Sequence, residues 1–172
     1  MRAMKIKFII PSWHYYADPF KHQPFWELYY ATQLRKQGFD DSMSDMRETV
    51  QKDLISRINE IAESDFYFYW IFKSGDAAEI YSIAKFLKKK FPNSTHAAGG
   101  THVDMCQEES QNYFDSIVVG AGENSFKKII NDKLNNNLEK KYFQYYKEQL
   151  FSNTSYPDRS FLPKEKISTI KT

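Results

Sequence analysis

Cysteine is almost absent: Cys106 stands alone among 172 residues. An internal disulfide is thereby excluded, as is any zinc or iron–sulfur site built from several cysteines of this chain. A reducing, cytoplasmic setting is expected. Long apolar runs are missing too. The start of the chain holds only Phe8-Ile9-Ile10 before Pro11, so neither a signal peptide nor a transmembrane helix is expected. Neither sign of charge dominates: 24 Lys and Arg against 22 Asp and Glu leave +2, too balanced to argue for nucleic acid or a membrane surface as partner. The run Lys88-Lys89-Lys90 is read as a solvated helix end, where cations suit the dipole. Glycine is scarce at 6, yet Gly99, Gly100, Gly120 and Gly122 gather in two turns. What is plentiful is aromatic: 14 Phe, 12 Tyr and 3 Trp, side chains that suit a core and a large flat cofactor equally. The length suits one main domain.

Residues 5–11 read Lys-Ile-Lys-Phe-Ile-Ile-Pro, a buried first strand stopped by proline. Residues 12–24 carry two histidines, several aromatics and two prolines with no helical or strand period, and long loops in compact domains tend to be functional. A helix is predicted from Pro24 through Leu28, Ala31 and Leu34 to a stop at Gly38. Residues 39–46 should form an edge strand, although Asp40-Asp41-Ser42 and Ser44-Asp45 are poor strand formers. Val50, Leu54, Ile58 and Ile61 predict an amphipathic helix over 49–62. The run 65–72 reads as a strand buried on both faces. A helix over 77–91, strands over 94–98 and 116–119, and a helix from Glu123 to Leu134 complete an alternating pattern. That pattern predicts an α/β fold: a doubly wound, mostly parallel five-stranded sheet flanked by helices, occupying residues 1–137. Residues 138–172 are expected to be an extension lying on the domain and leading toward a neighbour.

In such sheets ligands bind beyond the carboxyl ends of the strands. The candidate binding residues are therefore Ser12, Trp13, His14 and Tyr15 after the first strand, and Trp70, Lys73 and Ser74 at the aromatic strand's end. The two glycine turns add Gly99, Gly100, Thr101 and His102, then Gly120, Ala121, Gly122 and Glu123. Glycine allows close approach, and helix N-terminal amides favour an anion such as a phosphate-bearing tail. His14 is the candidate metal ligand. His102, Asp104 and Cys106 alternate but mix three ligand types, so no zinc site is expected. Glu123 is the best acid–base candidate and equally a helix cap. Nicotinamide and nucleoside-triphosphatase motifs are absent. The acidic residues that a phosphoacceptor domain needs are replaced by Pro11-Ser12 and Phe72-Lys73.

Several segments resemble the cobalamin-binding domain that precedes the barrel of many radical S-adenosylmethionine enzymes. They are Lys5-Ile-Lys-Phe-Ile-Ile-Pro11, the helix end Ala31-Thr-Gln-Leu-Arg-Lys-Gln-Gly38, Ala98-Gly-Gly-Thr-His102, Asp115-Ser-Ile-Val-Val-Gly-Ala-Gly-Glu123 and Tyr156-Pro-Asp-Arg159. The resemblance implies a Rossmann-like fold and a cobalamin cofactor, as methylcobalamin bound base-off, with its nucleotide tail near Gly99, Gly100 and Gly120. It also implies a radical domain, in cis or trans, to which Lys166-Ile-Ser-Thr-Ile-Lys-Thr172 would lead. The C-x-x-x-C-x-x-C that binds the cluster of such a domain is missing, so the chain by itself is not expected to be catalytic. The D-x-H-x-x-G motif that supplies a lower cobalt ligand is missing as well. His14 does not match it, which implies a lower cobalt face covered by Trp13, Tyr15 or Trp70. The alternative is a degenerate copy serving as a cofactor-free interaction or regulatory domain.

Overall fold

The computed structural model describes residues 4–146 and 156–162. Its strands are β1 (Lys5–Ile10), β2 (Asp40–Asp45), β3 (Phe66–Trp70), β4 (Thr95–Gly99), β5 (Ser116–Gly120) and β6 (Lys141–Gln144). The helices are α1 (Phe25–Lys36), α2 (Leu54–Asn59), α3 (Ser74–Lys90), α4 (Thr101–Met105), α5 (Gln107–Gln111) and α6 (Ser125–Leu134). The strands form one sheet in the order β2-β1-β3-β4-β5-β6, and every pairing is parallel. This is the doubly wound α/β architecture, with six strands rather than five.

Both faces of the sheet are covered, which explains why β3 lacks polar residues. Phe66, Phe68 and Trp70 pack with Ile6 and Phe8 beneath α1 and α6, against Tyr29, Tyr30, Phe126 and Ile129. Tyr67 and Tyr69 point the other way, into a core shared with α2 and α3 through Ile58, Ile80, Ile83 and Leu87. Each such side chain, removed from water, contributes roughly 1.5–3 kcal/mol.

Three expectations need correction. The helix over 49–62 shrinks to α2, because the Asp53 carboxylate accepts from the Ser56 amide and caps a new start there; Val50 is left exposed. Residues 101–111, to which the sequence pattern assigns no element, form the short helices α4 and α5. The sixth strand comes from the stretch read as extension, with Tyr142 and Gln144 inward and Lys141 and Phe143 outward. Farther on, Tyr156-Pro157-Asp158-Arg159 does lie on the domain. The Asp158 amide donates to Thr32 Oγ1 (2.8 Å), its carboxylate meets Arg35 (3.0 Å), and the Arg35 guanidinium sits 3.6 Å over Phe161. Lys166 to Thr172 fall outside the described residues.

Gly38 ends α1 as expected, at φ +86° with open space where a Cβ would stand. Its need for glycine is therefore conformational alone. Gly38→Ala should cost about 1 kcal/mol in a urea titration; an unchanged midpoint would contradict the left-handed conformation.

Candidate functional site

The helix after β1 covers one face of the sheet and the helix after β3 covers the other, so a crevice opens between the two strand ends. There the structure has a cleft of about 260 Å³. The loop after β1 supplies Trp13, Tyr15, Tyr16 and His22; the start of α1 supplies Phe25, Trp26 and Glu27; β3 and its exit supply Trp70, Phe72, Lys73 and Asp76. Pockets for drug-sized ligands run to roughly 300–1,000 Å³, so this one admits an edge of a large flat molecule rather than the whole. Trp26 and Trp70 pack at 5.6 Å, and Tyr30 lies 4.9 Å from Trp70 behind them. Among the described residues the buried indole nitrogen of Trp70 has no hydrogen-bond partner.

The loop is held in an unfavourable conformation. Trp13 has φ +48°, a region costly for a side chain of its size and one that clusters at functional sites. The restraint comes from Arg47, just past β2. This buried guanidinium grips Asp45 with two hydrogen bonds (2.6 and 2.8 Å), donates to the His22 carbonyl (2.8 Å), and lies 5.1 Å from the Trp13 ring and 4.9 Å from Phe20. Ser12 anchors the loop's other end through its amide and hydroxyl, both donating to Glu79 (3.0 and 2.7 Å), itself paired with Arg57.

Two carboxyls floor the cleft. Burial pushes Glu27 up to about 8, with the nearby Asp76 and Asp45 adding and its own amide and Arg47 opposing, so it is protonated at neutral pH. Asp76 is also raised by burial, against the Tyr15 hydroxyl that donates to it at 2.8 Å. Neither acid stood among the sequence candidates, nor did Arg47 or His22. The available signal for Glu27 was an acid amid Trp26, Leu28, Tyr29 and Tyr30, on the face that α1 turns inward.

The sequence candidates divide. Trp13, Tyr15, Trp70 and Lys73 meet at the cleft. His14 is on the same loop but exposed, with Nδ1 3.2 Å from Ser12 Oγ. Ser74 and His102 leave for the other side of the sheet, where Ser74 Oγ lies 2.9 Å from His102 Nδ1 and the Tyr81 hydroxyl 2.9 Å from Nε2. His102 does approach Cys106, with Glu109 completing a group whose ligand atoms lie within 4.8 Å, but its ring nitrogens both have protein partners. Asp104 turns away, accepting from the Gly120 amide and the Tyr146 hydroxyl. Glu123 precedes α6 by two residues, and Asn124 holds the cap position.

The glycines do not line the cleft. A Cβ on Gly100 would stand 2.6 Å from the Ile71 carbonyl, and one on Gly120 2.1 Å from that of Gln144. A Cβ on Gly99 would meet Trp70, and one on Gly122 would meet Tyr30, each at 2.8 Å. At the Cβ position of each glycine stands an atom of the chain itself: aromatic rings from β3 and α1 at Gly99 and Gly122, main-chain atoms at Gly100 and Gly120.

No protein-family model matches the sequence, and no curated protein does. Solved structures do. A radical S-adenosylmethionine methyltransferase, TsrM from Kitasatospora setae, with cobalamin and a [4Fe-4S] cluster bound, superposes with a TM-score of 0.61 at 12% identity over 80% of this chain and 25% of that one. The same enzyme with tryptophan substrate and an S-adenosylmethionine analogue bound gives 0.55 at 14% identity, over 80% and 27%. The chain thus spans about a quarter of the proteins it matches, and it shares the fold of that portion. Among the described residues no helix is long and apolar enough to cross a membrane.

Proposed function

We propose that this chain is a cobalamin-binding module, working beside a radical S-adenosylmethionine domain in cis or trans in a reducing, cytoplasmic setting. One observation carries the reading: an aromatic cleft with an unpaired, buried indole N–H stands at the switch point of a fold shared with a methyltransferase that holds cobalamin. The residues fit the group at its ring. Trp13, Tyr16, Trp26 and Phe72 offer flat apolar surface to a macrocycle edge, and the Trp70 N–H suits an amide carbonyl on its rim. Lys73, Asp76 and protonated Glu27 add polar contacts beside it. Methylcobalamin bound base-off would supply a transferable methyl group. The chain's own work is to hold and shield the ring, leaving the reaction to the partner domain. His14 is retained as the candidate cobalt ligand; where it does not ligate, the aromatic residues of the loop cover that face.

The test is to mix the purified protein with hydroxocobalamin, desalt, and record the visible spectrum at micromolar concentration. Retained colour is the expected result, and a colourless protein would sink the reading. His14→Ala should shift the bands of the bound cofactor if the imidazole coordinates; unchanged bands remove His14 from that role. The filled glycine sockets favour a second reading, a cofactor-free interaction domain, and a colourless protein would support it.

A further inference from the structure

The feature that most departs from expectation is the occupation of all four turn glycines by the chain itself. We propose that the chain recognises a corrinoid through its ring alone and has no site for the nucleotide tail, so that tail-less corrinoids bind as well as cobalamin. This rests on the corrinoid reading above and narrows the ligand class.

Two independent observations carry it, the first steric. At Gly99 a Cβ would lie 2.8 Å from Trp70 Cζ3 and 3.2 Å from Val118 Cβ; at Gly122 it would lie 2.8 Å from the Tyr30 hydroxyl and 3.0 Å from Phe126 Cε2. Those ring atoms therefore sit directly on the glycine α carbons. The rings are also locked to one another, with Tyr30 4.9 Å from Trp70 and 4.8 Å from Phe126 in edge and tilted contacts. A bicyclic base has the dimensions of an indole, so it could enter only by expelling Trp70 from a packed layer, and such layers hold few voids.

The second observation is electrostatic. A phosphate in the tail would look for free amides and a positive field at the β5–α6 turn. Three of those amides are taken. The Gly120 amide donates to the Asp104 carboxylate (2.8 Å), the Ala121 amide to the Gln144 carbonyl (3.0 Å) and the Asn124 amide to Gln144 Oε1 (3.1 Å). The Asp104 carboxylate is thus already installed in the turn. A phosphate arriving there would meet like charge and no donor among these three.

The experiment compares hydroxocobalamin with diaquacobinamide, which has the ring and cobalt but no nucleotide, each titrated into the full chain and followed by its visible spectrum. Dissociation constants within threefold of each other, or tighter binding of the cobinamide, are expected. Cobalamin binding at least tenfold more tightly would overturn the inference while leaving the corrinoid reading intact. Binding of neither overturns both, so the two failures are told apart. Trp70→Gly, which empties the socket beside Gly99, serves as the second arm. If it folds, as judged by circular dichroism, the ratio should move toward cobalamin by threefold or more, and an unmoved ratio counts against the steric half of the inference.

Discussion

Arg47→Ala should lower stability by about 3–5 kcal/mol, the usual cost of removing one partner from a buried ion pair and leaving the other uncompensated. For a chain of this size that is a fall in melting temperature on the order of 10 °C. Arg47 is only 3% exposed, and its loss strands the largely covered Asp45 carboxylate. It also frees the His22 carbonyl and removes the cation resting on Trp13 and Phe20. The loop of residues 12–24 then has little to hold Trp13 at positive φ, so limited proteolysis should cut there first. Lysine cannot repair the defect, because a single ammonium cannot grip both Asp45 oxygens and the His22 carbonyl in one plane. Asp45→Ala together with Arg47→Ala should cost less than the two single changes added. Strict additivity in a thermal melt would show that the pair is not coupled.

Glu27→Gln should have the opposite sign. The carboxyl keeps its proton in the fold until pH approaches about 8, whereas in the unfolded chain it ionises near 4.5. Between those values the folded protein binds the extra proton, so stability falls as pH rises, by about 1.4 kcal/mol per pH unit, and levels off above pH 8. Glutamine keeps the shape of the protonated acid and has nothing to ionise. The variant should match the parent at pH 4.5 and exceed it at pH 8.5 by on the order of 4 kcal/mol, or roughly 10 °C. Melting curves that stay parallel across this range would show that Glu27 is ionised where it sits. The groups facing it are Arg47, Asp45 and Asp76.

The alternation of elements and the parallel sheet were legible because strand and helix periods alternate cleanly and β3 is apolar on both faces. β2 was legible by position rather than composition. Its residues Asp40 to Asp45 are polar apart from Met43 because an edge strand has one neighbour, and Lys7 of β1 reaches across to Ser42 Oγ at 2.8 Å. β6 was overlooked because Asn135-Asn136-Asn137 looks like the end of order, yet Lys141-Tyr142-Phe143-Gln144 alternates in and out as a strand should. The cleft's position followed from the switch-point rule, and Trp13, Tyr15, Trp70 and Lys73 with it. Its buried charges did not. Arg47 and Glu27 acquire their roles only when segments some twenty residues apart in sequence close over them, and no local spacing announces that. The glycine turns are ambiguous for a related reason: glycine signals close approach without saying whether a ligand or the chain itself approaches.

The order of the strands has a consequence for synthesis. β1 is the second strand of the sheet, and its inner neighbour β3 pairs Phe66 with Ile6, sixty residues later. At about 5–20 residues per second, β1 waits roughly 3–12 s for that partner to be made. Until then its apolar run can pair only with the carboxylate-rich β2, and the centre of the sheet cannot begin to close. Nascent chains arrested before residue 66 should therefore remain protease-sensitive, whereas those that have released β4 from the ribosome have every strand needed to bury β3 on both sides.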